Sequence, residues 1–137
     1  TILFSENEDY RKYAMFAQDS GRPKSINPVI TDLPLQLEKN SRIALIGNTL
    51  FDRMRNFGHF ESLVQQAHPD HNLTFRNLAW SADEIDLQPR PDNFADSEQH
   101  LTAMKADLII AAFGFNESFS GEKIEIFENF VHFASIR

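Results

Sequence analysis

The sequence predicts an α/β fold in which a parallel sheet lies between helices on both of its faces. Two apolar runs, 43–46 and 107–113, show almost no polar alternation, the pattern of strands buried on both sides. Each run ends at a glycine, Gly47 and Gly114. Around them, apolar residues recur at helical spacing, so the order reads strand, helix, strand, helix, strand, helix. Alternation of this kind implies right-handed βαβ crossovers and a parallel sheet.

The elements follow in order. Residues 1–40 read as an irregular lead-in or linker, polar from Ser5 to Tyr13 and rich in turn formers over 19–25. One helical stretch is expected over 9–18. Leu33, Leu35 and Leu37 alternate with Pro34, Gln36 and Glu38, which predicts an edge strand or an extended arm lying on the main domain, 41–137. After the first strand, Leu50, Met54, Phe57, Phe60, Val64 and Ala67 are spaced for a helix that Gly58 divides and Pro69 stops. Residues 73–78 have strand character, and 83–95, with Pro89 and Pro91, form a loop. Asp96 and Gln99 have capping-box spacing and open a helix that runs through Ala106. Past the third strand, Ile124, Phe127, Val131 and Ala134 share one helical face.

Composition narrows the function. The chain has 137 residues, 42% apolar and 24% charged, as one ordinary globular domain does. Its net charge of −7 disfavours a general nucleic-acid binder. The absence of cysteine removes thiol nucleophiles, disulfides and thiolate metal sites from this stretch. No run approaches the roughly 18 apolar residues of a membrane span. The chain begins at Thr1 and stops at Arg137 directly after a helical pattern, so it is expected to be a piece of a longer protein with further domains. Among the 13 phenylalanines, Phe51, Phe57, Phe60, Phe75, Phe113, Phe127 and Phe130 fit inner faces. Trp80, Phe115 and Phe119 fall instead in loops and are candidates to wall an acyl or sugar pocket.

In open α/β sheets, ligands bind beyond the carboxyl ends of the strands. Three short, mostly small or polar segments fall there: Gly47-Asn48-Thr49, Asn77 to Asp83, and Gly114-Phe115-Asn116-Glu117. A Thr hydroxyl, backbone N–H groups around Ser81-Ala82-Asp83 and the Asn116 amide are the parts of an acyl-transfer site with an oxyanion hole.

Ile46-Gly47-Asn48-Thr49-Leu50, Asn77-Leu78-Ala79-Trp80-Ser81-Ala82-Asp83 and Phe113-Gly114-Phe115-Asn116-Glu117 together resemble the SGNH hydrolase superfamily, or GDSL-type esterases and lipases. That family carries Gly-Asp-Ser, Asn-x-x-x-Ser-Gly-Asp and Gly-x-Asn-Asp blocks after its first three strands. The resemblance spans roughly 42–134 and implies a flavodoxin-like sheet of about five strands, of which this chain holds the first three βα units. It implies a carboxylic-ester hydrolase acting on acyl or acetyl esters, with small-molecule or carbohydrate esters as substrates. Thr49 stands at the nucleophile, Ala82 at the oxyanion glycine and Asn116 at the side-chain oxyanion donor. Asn48, Ser81, Asp83, Trp80, Phe115 and Glu117 are implied around the substrate. The resemblance also favours an extracytoplasmic setting.

The departures are Asn48 in place of Asp, Thr49 in place of Ser, and the absence of a matching Asp-x-x-His block for the base. The base is therefore expected after Arg137, and the 137-residue piece alone is expected to hydrolyse nothing. The alternative is a non-catalytic module of the same fold within a larger protein. A nucleotide-binding domain of the same topology is a third class, disfavoured because Gly114 to Gly121 lacks the Gly-Lys-Ser/Thr ending of a phosphate loop.

No cofactor and no metal are expected. His68 and His71 flank Pro69-Asp70 without a third ligand and fit a solvated helix end. His59 is placed on or beside a helix near Thr49, and His100 and His132 on helix surfaces. Asp83 reads as an orienting loop residue beside Glu84, and Arg90 as a loop anchor.

Overall fold

The computed structural model describes residues 15–24 and 32–119. The described residues fall into two compact units, one formed by 15–24 with Pro89–Lys105 and the other by 32–88 with 106–119.

The larger unit is built on a three-stranded parallel sheet: β1 (Arg42–Gly47), β2 (Thr74–Asn77) and β3 (Leu108–Ala112). The order is β2-β1-β3, with Ile43 opposite Phe75 on one side and Leu108 on the other. The chain is thus α/β with a parallel sheet, as its apolar runs predict. This order is that of the first three strands of a flavodoxin-like sheet, and it reverses direction between β1 and β3, where such sheets open a crevice.

β1 lies in the middle, and every residue after Arg42 is buried. Between β1 and β2 run α1 (Thr49–Met54) and α2 (His59–Ala67). Phe51, Met54, Phe60 and Val64 from these helices pack on the sheet face that carries Ile43, Leu45, Phe75, Leu108 and Ile110. The Phe60 ring meets Phe75 edge-on, with centroids 6.1 Å apart. Ala44 and Ile46, on the opposite face of β1, are buried as well. Burying an aromatic or branched aliphatic side chain contributes about 1.5–3 kcal/mol, so this layer supplies most of the unit's stability.

Gly47 ends β1 at φ 142°, and a Cβ there would lie 2.2 Å from the Ala112 carbonyl oxygen. Only glycine lets the β1 and β3 backbones approach so closely. Gly58 turns the chain between α1 and α2 at φ 59°, with open space around it.

In the smaller unit, α3 (Ser97–Met104) opens with the expected capping box, Asp96 and Gln99 each accepting a backbone N–H of the other. The buried Gln99 amide also donates to Ala17 O and Ser20 O, at 3.0 and 2.9 Å. This anchors the 15–24 segment, where Phe16 bridges to Phe94. Burial raises the Asp96 carboxyl, but the Gln99 N–H and the Arg22 guanidinium outweigh it and hold the group below its ordinary value.

Some expectations change. Residues 33–37 form no strand: Leu33 and Leu35 are exposed, and only Leu37 reaches the core. Pro34 lacks the N–H a ladder needs. Within the expected helix 9–18, residues 15–18 are a bridge and a turn, and 9–14 lie outside the described residues. α3 ends at Met104, two residues before Ala106, with Lys105 as its C-cap in the left-handed region. Phe57 is exposed rather than on an inner face, because the Gly58 turn breaks the helical phase. His68 and His71 are half-buried, their rings 4.9 Å apart, and His71 Nδ1 has no hydrogen-bond partner. His100 is half-buried against Phe94 rather than on the surface. The helical face from Ile124 to Ala134, with Phe127, Phe130 and His132, lies outside the described residues.

Gly47→Ala is expected to destabilise the fold by at least about 2 kcal/mol, because overpacking and a disallowed φ add. Gly58→Ala, with free space and only the left-handed backbone against it, should cost about 1 kcal/mol. Urea unfolding of both variants measures the difference.

A second expectation concerns acid. The Arg42 side chain and then its N–H bond Asp107, holding its carboxyl below the ordinary 3.8. A lowered folded value adds stability above 3.8 that is lost as the pH falls through the folded value. The pair is half-exposed, so its contribution is less than about 1 kcal/mol. Asp107→Asn should remove that share of the acid sensitivity in unfolding curves taken between neutral and acid pH.

Candidate active site

The three strand-end segments meet through specific bonds. After β1 the chain enters α1, with Asn48 at the N-cap and Thr49 as the first helical residue. After β2, Asn77 sets the second segment. Its amide donates to Phe51 O at 2.6 Å, and its carbonyl accepts from Ala79 N–H at 3.0 Å. The Trp80 N–H continues the path by donating to Gly47 O at 3.2 Å. After β3, a short 3₁₀ turn, Glu117–Phe119, follows Asn116.

Two of the implied site residues lie inside this assembly. Asn48 and Glu117 are both buried. One Glu117 oxygen accepts from Ile85 N–H at 3.0 Å. The other accepts from Gly114 N–H at 2.7 Å and from Asn48 Nδ2 at 3.4 Å. One carboxylate therefore gathers donors from the loops that follow all three strands. A carboxylate at position 48 would face Glu117 with no proton to give, whereas an amide donates.

Thr49 and Asn116 meet at one oxygen, the carbonyl of Ser81. It accepts from Thr49 Oγ1 at 3.2 Å and from Asn116 Nδ2 at 3.0 Å. Asn116 Nδ2 also donates to Asp83 O at 3.0 Å. Asp83 is buried and its N–H donates to Trp80 O. Ala82 is exposed, has a negative φ, and among the described residues its N–H has no protein acceptor. Thr49, at the first helical position, has an N–H with no intrahelical acceptor. The nucleophile candidate, the side-chain donor candidate and two backbone donors thus occupy one small region at the carboxyl ends of the strands.

Sequence reasoning passes over Asp52 and Arg55. On α1, Asp52 lies three residues after Thr49 and accepts from the Ser81 hydroxyl. Arg55 pairs with Asp52 at 2.9 Å and donates to Ala79 O. The i, i+3 spacing from Thr49 is the signal that would have found Asp52. No histidine among the described residues bonds Thr49. His59, the first residue of α2, is exposed and stacks on Phe57. Arg90 donates to its neighbour Pro89 O. Among the described residues no group of three metal-ligating side chains occurs, and no helix is long and apolar enough to cross a membrane. A groove of about 480 Å³ lies at the opposite, amino-terminal ends of the strands. Its Arg42 and Asp107 are paired with each other, so it gathers no chemistry comparable to the strand-end cluster.

No family model matches the chain, and comparison with curated proteins and with solved structures finds no match.

Asn48→Asp is expected to destabilise the unit by about 1–3 kcal/mol, since a buried donor is lost and a like charge gained. In a double-mutant cycle, Glu117→Gln should cost less in the Asn48→Asp background than in the parent. Equal costs in the two backgrounds would show that the two side chains do not interact.

Proposed function

We propose that this chain carries the nucleophile and oxyanion side of an SGNH-type ester hydrolase acting on acyl or acetyl esters, carbohydrate esters included. The supporting observation is the convergence of Thr49 Oγ1 and Asn116 Nδ2 on one carbonyl oxygen, beside the unbonded N–H of Ala82. The contact puts a hydroxyl nucleophile candidate and an amide donor within reach of the same point, the two parts an acyl-transfer site needs side by side.

Thr49 Oγ attacks the ester carbonyl carbon, and its proton passes to a general base. The developing oxyanion is held by the N–H groups of Thr49 and Ala82 and by the Asn116 amide. The tetrahedral intermediate expels the alcohol, protonated by the same base, and water then releases the acid from the acyl-Thr49 ester. The base is a histidine of an Asp-x-x-His block, which the family resemblance puts after the third βα unit. The extra methyl of Thr stiffens χ1, so Thr49→Ser should be tolerated or faster.

A specific observation favours a second reading, a non-catalytic module of the same fold. The Thr49 hydroxyl and the Asn116 amide are spent on Ser81 O and Asp83 O, so a substrate must displace the second segment to reach them.

The parent protein containing this chain, assayed with an aryl acetate, separates the two. Hydrolysis requires that Asn116→Ala lower kcat by about 10²–10³ and that Thr49→Ala, which removes the nucleophile, cost far more, on the order of 10⁶. Unchanged turnover in both variants would rule out Thr49 chemistry. A parent with no turnover that gains it on Thr49→Ser is a decayed enzyme serving the binding role.

A further inference from the structure

The second segment is fixed at its two ends and open in its middle. Ala79 and Asp83 are buried, whereas Trp80, Ser81 and Ala82 between them are exposed. The open part carries the Ser81 carbonyl, which takes the Thr49 hydroxyl at 3.2 Å and the Asn116 amide at 3.0 Å. A side-chain bond also fastens it: the Ser81 hydroxyl donates to the Asp52 carboxylate. Asp52 lies three residues after Thr49, so both attachments of Ser81 fall on one turn of α1. Arg55, three residues further on, pairs with Asp52 at 2.9 Å and donates to Ala79 O. It thereby orients the Asp52 carboxylate and tethers the fixed end of the segment.

We propose that Asp52 and the Ser81 hydroxyl form a latch that keeps the Thr49 and Asn116 donors covered, so that a ligand carbonyl gains them by lifting residues 80–82. The latch rests on the ester-hydrolase reading for the identity of that carbonyl, but not for the lifting itself. The Ser81–Asp52 bond is exposed, and water can replace either partner, so opening it costs little. The Asn116 amide has two protons and two acceptors, Ser81 O and Asp83 O, and Asp83 belongs to the buried end of the segment. When Ser81 leaves, the Asp83 bond keeps the amide oriented while a proton is freed beside the Thr49 hydroxyl. The covered and lifted states form a two-state equilibrium. A ligand's apparent affinity is its affinity for the lifted state reduced by the lifted fraction.

Amide hydrogen exchange of the 137-residue chain reads the latch without any ligand. The Trp80 N–H, bonded to Gly47 O, and the Asp83 N–H, bonded to Trp80 O, report lifting, and the β1 amides report opening of the sheet. Asp52→Ala and Ser81→Ala should each speed exchange at Trp80 and Asp83 about two- to fivefold and leave β1 at its parent rate. The double variant should match Asp52→Ala alone, because both substitutions act through one bond. Ser81→Thr, which keeps the hydroxyl, should keep the parent protection. No rise at Trp80 and Asp83, or an equal rise in β1, would overturn the latch, as would full additivity in the double variant. In a parent protein that hydrolyses an aryl acetate, Asp52→Ala should lower KM about two- to fivefold. An unchanged or raised KM there would overturn the covering role. A parent without turnover removes the enzymatic reading, and the exchange pattern alone then decides the latch.

Discussion

The Glu117 carboxylate is the point on which the candidate site depends. Its four lone-pair positions receive the N–H of Ile85, the N–H of Gly114 and the Asn48 amide. Those donors come from the segments after β2, β3 and β1, which are distant in the chain: Asn48 and Glu117 are 69 residues apart. Hydrogen bonds to a charged acceptor are worth about 1.5–3 kcal/mol each, roughly twice neutral ones. These bonds offset part of the cost of burying the charge. The carboxylate therefore makes loop order cooperative. Losing any one donor leaves the others bonded to an under-satisfied buried charge.

That arrangement in turn depends on how closely β1 and β3 run. The Asn48 N–H donates to Ala112 O at 3.2 Å, the same carbonyl that would clash with a side chain at Gly47. The missing Cβ of Gly47 thus lets the β1 end sit beside the β3 end, and only then can Asn48 reach Glu117. On the other side, Asn77 and Arg55 fasten α1 to the segment after β2, through Phe51 O and Ala79 O. Two clamps, one on each side of β1, set the distance between Thr49 and Asn116.

Much of this was legible from residue order. The unalternating run 43–46 gave the central strand, because a strand covered on both faces has no polar side to show, and the run 107–113 gave β3, which is half-buried in the structure. The Asp96–Gln99 box opened a helix where its spacing said, because capping is local and needs only the next turn. The places where reading failed are non-local. Leu33 to Leu37 alternate as an edge strand or an extended arm would, yet among the described residues the stretch pairs with no strand and only Leu37 packs on the core, because alternation says which face is apolar and not which ladder it joins. Phe57 has helical spacing from Met54, but the left-handed Gly58 resets the phase and leaves its ring in solvent. Of the candidate site, positions 49, 82, 116 and 117 could be picked out from order along the chain, but Glu117 is expected there beside a substrate. Its part as acceptor for Ile85, Gly114 and Asn48 could not be read, because those donors are brought to it only by the fold.

The Ser81 carbonyl sets the remaining physical problem. It holds the Thr49 hydroxyl and one Asn116 proton in the resting state, so binding must exchange one acceptor for another. Such an exchange is nearly neutral in hydrogen-bond energy, since an ester carbonyl and a peptide carbonyl are both neutral acceptors. The Asp52–Ser81 bond opposes movement of that segment, and as an exposed contact on α1 it is weaker than the buried Glu117 hub. Displacement is therefore easiest at Ser81 and hardest at Glu117. A ligand can open the first while the second keeps the strand ends aligned.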